Sequence, residues 1–132
     1  QVASAAGVTV TIEPLCRQEC NFINSVAEAM TIVHAVDQPS IQVLSDLYHV
    51  NTDQQPYSET RDAGAHLAHV HVAGKEERRT PNSADVEYLA AYFRVLKEMA
   101  YAGRISVESK MTDFQREAPG ALAALRDAWR IA

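Results

Sequence analysis

The chain has 132 residues, 47% hydrophobic and 22% charged, which suits one domain with a packed core and is too apolar for disorder. A formal net charge of −5, with Lys and Arg scattered apart from the Arg78-Arg79 pair, argues against a phosphate-binding surface and so against nucleic acid. No apolar run approaches the roughly 20 residues of a membrane span, and no basic segment leads into a long apolar stretch. Cys16 and Cys20 read as reduced thiols, giving the expectation of a soluble, unexported, cytoplasmic protein.

The opening "QVASAAG" reads as the end of a helix, and "GVTVTIEP", Gly7 to Pro14, is β-branched through Ile12 and stopped by proline, which predicts a first strand. From Asn24 to Val36, Val26, Ala29, Met30 and Val33 fall at helical spacing behind an Asn24 or Ser25 cap. A second strand begins at Ile41 within "PSIQVLSDLYHV" and runs into Asp46. The polar connection behind it holds one short helix over Ser58 to Ala63.

"HLAHVHVA" predicts a third strand, in which His69 and His71 share a face and His66 looks the other way. A helix follows from an Asn82 or Ser83 cap, with Val86, Leu89, Ala90, Phe93, Leu96 and Lys97 at helical spacing. "RISVESKM" predicts a fourth strand, and a last helix runs from about Pro119 through Leu122, Leu125 and Trp129. Four strand–helix units without a hairpin signature predict an α/β fold with a parallel sheet and right-handed crossovers.

Lining up the strand ends brings out the chemistry. Glu13 closes the first strand and Asp46 the second, while His71 and Glu108 sit late in the third and fourth. In parallel α/β folds ligands bind at the carboxyl ends of the strands. Singly, each residue is ordinarily a helix cap or a hydrogen-bonded surface group. Four in succession suit one divalent ion, Mn²⁺, Mg²⁺, Co²⁺ or Zn²⁺, because burying unpaired carboxylates is costly and a cation is the usual compensation.

"VTVTIEPLCRQECNF", "VLSDLYHV", "HVHVAGKEERRTP" and "YAGRISVESK" resemble the C-terminal half of the sugar isomerase and epimerase family with a xylose-isomerase-like TIM barrel. The resemblance covers nearly the whole chain and implies half of a (β/α)8 barrel in a single domain. It places metal ligands on Glu13, Asp46, His71 and Glu108. It also makes Glu13 and Glu108 the acid and base that move a proton beside a carbonyl, through an enediolate. His49 and Arg78 fall where the family contacts substrate, with Arg79 as the alternative because the preceding loop is one residue longer. His69 then lies behind the ligands or on the substrate side, His66 is structural, and Cys16 replaces a family asparagine. The substrate implied is a small sugar, sugar phosphate or keto acid.

A chain with half the units of a barrel implies that an N-terminal half is missing. It would leave the first and fourth strands as edges and expose an apolar interior face, which a homodimer closing an eight-stranded ring would cover. Two rival functions remain. One is a non-catalytic half barrel that folds or dimerises without turnover. The other is a relative of the apurinic-site endonucleases, which needs further zinc ligands and a basic surface that this chain lacks.

Overall fold

The computed structural model describes residues 2–132; Gln1, where the expected N-terminal helix end begins, lies outside them. After a short helix α1 (Val2–Ala5), four strands form one parallel sheet in the order β1 (Val10–Ile12), β2 (Ile41–Asp46), β3 (Leu67–Val72) and β4 (Arg104–Val107). Between them run α2 (Val26–Val36), α3 (Leu47–Thr52), α4 (Ser58–Asp62) and α5 (Val86–Glu98), and α6 (Phe114–Ile131) follows β4. Sequential strand order with crossovers of one hand puts the packed helices on a single face.

Alternate strand residues turn to that face. Val43, Leu67, Val70 and Val72 are buried with Val26, Val33, Leu89, Phe93 and Leu96, and Ile12, Ile105 and Val107 pack against them. Each fully buried Val, Leu or Phe contributes roughly 1.5–3 kcal/mol relative to exposure. A buried polar knot within this core is closed: Tyr92 on α5 donates to Ser45 Oγ on β2 at 2.8 Å and lies 3.4 Å from Thr60 Oγ1 on α4, which is 2.9 Å from Ser45 Oγ. Burial raises the Tyr92 hydroxyl to about 12 despite these bonds.

A bulge sets the parity of β3. Val43 pairs with Leu67 but the next residue, Leu44, pairs with His69, so Ala68 has no partner on β2. Leu67 and Val70, three residues apart, therefore both join the core, and His69 and His71 turn to the open face beside Leu44 and Asp46.

That open face corrects the expected apolar barrel interior. Alternation puts Thr11, Gln42, His69, Arg104 and Ser106 on it, with Leu44 as its apolar member, so the surface left by four strands is mostly polar. Among the described residues no helix is long and apolar enough to cross a membrane.

Besides β1, which begins only at Val10, three elements differ from their expected extents. The segment Leu47–Thr52, where no helix was expected, is helical because Asp46 caps it, accepting from the Tyr48 amide at 2.8 Å. The fourth strand stops at Val107, four residues short of Met111, since beyond it the backbone turns to bond Lys110 N to Arg78 O at 2.8 Å. The last helix starts at Phe114 rather than Pro119. Asp113 caps it through the Arg116 amide, and the exposed Pro119 sits inside the helix.

Candidate metal centre

Glu13 and Glu108 stand one residue past the ends of β1 and β4, Asp46 is the last residue of β2, and His71 is the next-to-last of β3. In register His71 lies opposite Asp46 and Ser106. One ligand atom from each of Glu13, Asp46, His71 and Glu108 lies within 4.8 Å of the others. The sheet thus gathers four residues, the outermost of them 95 apart in sequence, at its carboxyl edge.

The contacts are graded by depth. Asp46 has a fully buried side chain, and its Oδ2 accepts from Arg78 Nη2 at 2.8 Å, with His49 Nε2 at 3.8 Å. The same Arg78 nitrogen lies 3.0 Å from Glu108 Oε1, and its guanidinium stacks 4.5 Å over the Tyr48 ring. His71 Nδ1 lies between two acids, 3.2 Å from Glu13 Oε1 and 2.6 Å from Glu108 Oε2.

Burial pushes the Glu13 carboxyl above its ordinary value; His71 opposes this, while Glu108 and Asp46 reinforce it. Burial raises Asp46 too, outweighing the Tyr48 amide, His49 and Arg78. Three carboxylates thus share one guanidinium and two imidazoles, and two of the three resist ionisation. A hard-leaning set of three oxygens and one nitrogen with unmet negative charge fits a divalent ion.

The remaining predicted residues separate. Arg78 reaches the four-residue set, with both it and Glu77 in the left-handed region, at φ 56 and 52. Arg79 turns away and forks onto buried Asp85 at 2.6 and 3.0 Å. Burial alone would raise Asp85, but Arg79 and the Lys75 and Asn82 amides together hold it below the ordinary carboxylate range. His49 is buried beside Asp46, its Nδ1 accepting from the Cys16 amide at 3.2 Å. His69 shares the open face, 2.9 Å from Ser106 Oγ, and burial, then His71 and Arg104, lower its pKa. His66 sits in the turn before β3, edge-on to His34 at 5.6 Å and away from the cluster. Sequence reading missed Tyr48, which lies on the unforeseen α3 and carries the Arg78 guanidinium on its ring.

Residues 1–130 match the family model described as "Xylose isomerase-like TIM barrel". The chain belongs to that family. A probable ketose 3-epimerase of Synechocystis is 32% identical over 99 residues, covering 74% of this chain and 34% of the relative. Among solved structures, apo 3-keto-D-glucoside 4-epimerase from Escherichia coli superposes with a TM-score of 0.83 at 30% identity, covering 96% of this chain and 48% of that one. D-psicose 3-epimerase from Clostridium cellulolyticum H10, solved with D-tagatose, gives 0.83 at 25% identity, covering 97% and 52%. The chain therefore spans about half the length of these family structures, and its four parallel strand–helix units form part of a TIM barrel.

Proposed function

We propose that the chain is the metal-bearing half, corresponding to the C-terminal half, of a divalent-metal-dependent sugar epimerase or isomerase. The observation that carries this reading is the convergence of Glu13, Asp46, His71 and Glu108 within 4.8 Å at the carboxyl edge of the sheet. These four residues would hold one Mn²⁺, Mg²⁺, Co²⁺ or Zn²⁺. The ion would supply Lewis-acid stabilisation of negative charge at the substrate's carbonyl and neighbouring hydroxyl.

The side chains do the rest. Glu13 and Glu108 approach His71 from β1 and β4, the two outer strands, so a sugar between them meets a carboxylate on either side. One removes the proton from the carbon beside the carbonyl, and the other returns a proton to the opposite face of the enediolate, inverting that centre. Glu108 is half-exposed, so it exchanges its proton with water more readily than Glu13. Arg78 lies where it can offer guanidinium hydrogens to a substrate oxygen, and stacking on Tyr48 limits its freedom. His49 Nε2, with Nδ1 occupied by the Cys16 amide, carries a hydrogen toward the same space. The free thiols Cys16 and Cys20 suit a reducing, cytoplasmic compartment.

The free edges of β1 and β4 and the open polar face support a homodimer in which each β4 pairs with the partner's β1. The test is deuterium incorporation from D₂O into a panel of ketoses and 3-keto-glycosides, read by NMR with Mn²⁺-loaded protein. The expected result is exchange at the carbon beside the carbonyl with formation of the epimer, slowed about 10²–10⁴-fold in Glu108→Gln. No exchange with any sugar, in protein that binds metal through Asp46, would favour the non-catalytic half barrel.

A further inference from the structure

A second group of ligand-type side chains stands next to the first and has a different chemistry. One ligand atom from each of Cys16, Glu19 and His49 lies within 4.8 Å of the others. Cys16 and His49 are 0% and 2% exposed, whereas Glu19 is exposed at the mouth. Burial raises the Cys16 thiol above its ordinary value and the Glu19 carboxylate reinforces this, against the Glu19 and Gln18 amides, which hydrogen-bond to it. The buried thiol, an imidazole and a carboxylate thus bring sulfur, nitrogen and oxygen donors to one place.

The loop holds this geometry firmly. The Asn24 side chain donates to Leu15 O at 2.7 Å and Cys20 O at 2.8 Å, and Glu19 N bonds back to Cys16 O at 2.9 Å. His49 Nδ1 is the ring nitrogen turned toward Cys16, bonded to its amide at a long 3.2 Å. An incoming ion would exchange that bond for coordination.

We propose that Cys16, Glu19 and His49 form a separate site for a thiophilic divalent ion, Zn²⁺ or Cd²⁺. Sulfur, nitrogen and oxygen donors with a fourth position left to water match tetrahedral Zn²⁺ coordination, whereas Mn²⁺ and Mg²⁺ prefer the oxygen-rich set around Asp46. The neighbouring sets thus sort ions by softness. Because His49 also lies 3.8 Å from Asp46, loading the thiol site takes His49 from the substrate side, and Zn²⁺ or Cd²⁺ becomes an inhibitor. On binding, the thiol releases its proton to solvent and the thiolate becomes the ligand. The inhibitory consequence rests on the proposed function; the site itself does not.

The experiment uses Cys20→Ser protein, whose remaining thiol is Cys16, loaded with Mn²⁺ and titrated with Cd²⁺. The expected result is an ultraviolet thiolate-to-cadmium charge-transfer band saturating at one Cd²⁺ per chain, with Mn²⁺ still bound by electron paramagnetic resonance. Glu19→Gln, an exposed change that leaves the fold intact, should weaken Cd²⁺ by at least about ten-fold, since even outer-sphere partners cost 10–100-fold. Unchanged affinity in Glu19→Gln would remove the carboxylate from the set and overturn the proposal, as would release of one Mn²⁺ for each Cd²⁺ taken up. In Asp46→Ala, loss of Mn²⁺ with the cadmium band kept is expected. A Mn²⁺ count unmoved by that change would sink the first set alone.

Discussion

Asp46 shows how one side chain carries two roles. Its Oδ1 caps α3 while its Oδ2 faces Arg78 and the other members of the four-residue cluster, so the fold fixes the carboxylate. Asp46→Asn should keep the cap, since asparagine caps nearly as well, and lose metal affinity. Calorimetric titration with Mn²⁺ beside circular dichroism checks both halves of that statement. The two arginines divide similarly: Arg79 on Asp85 is a loop clamp, and Asp85→Asn should cost roughly 1.5–3 kcal/mol in a urea melt while sparing metal binding. Asp85 has a lowered folded pKa, so its contribution is present above the ordinary Asp value of 3.8 and is lost as pH falls below it through the folded value. Stability of the wild type should therefore drop more steeply there than that of Asp85→Asn. The convergence of Glu13, Asp46, His71 and Glu108 was legible in the sequence because strands deliver their final residues to one edge. Glu19 and Tyr48 were not, because a loop and a six-residue helix carry no periodicity that fixes where a side chain points.

At the scale of elements, the bulge at Ala68 decides whether the histidines face the site. Without the bulge, Leu67 and His69, two residues apart, would share a face; deleting Ala68 removes the extra residue and leaves the two adjacent, on opposite faces of a regular ladder. Metal content and melting should therefore survive the deletion, and loss of metal, or a loss of roughly 1.5–3 kcal/mol as Leu67 leaves the core, would refute the parity argument. Tyr92→Phe should cost only about 1 kcal/mol by denaturant midpoint, because Ser45 and Thr60 still satisfy each other. Helices α2 and α5 were readable from apolar spacing behind Ser25 and Asn82 caps. The start of α6 was not: Pro119 suggested a first turn, whereas Asp113 and Glu117 nucleate the helix earlier. Glu117 accepts from the Thr112 and Asp113 amides at 3.2 and 3.0 Å.

For the whole molecule, a parallel sheet with two free edges and a polar open face is a barrel segment rather than a finished layer. If a second copy completes the ring, light scattering should report two chains, and the melting temperature should rise with protein concentration. A single-chain mass at every concentration would exclude that closure. The α/β class followed from alternation of apolar periods and the half-barrel arrangement from the family resemblance, but the polar character of the open face did not, since strand parity depends on the bulge. The central claim is that four strands assemble one metal centre. Its most direct test is the Mn²⁺ content of loaded, desalted protein by plasma mass spectrometry, in wild type and Asp46→Ala. The account predicts one ion per chain in the wild type and none in the variant. A folded wild type that retains no metal, or a variant that retains as much, would contradict it.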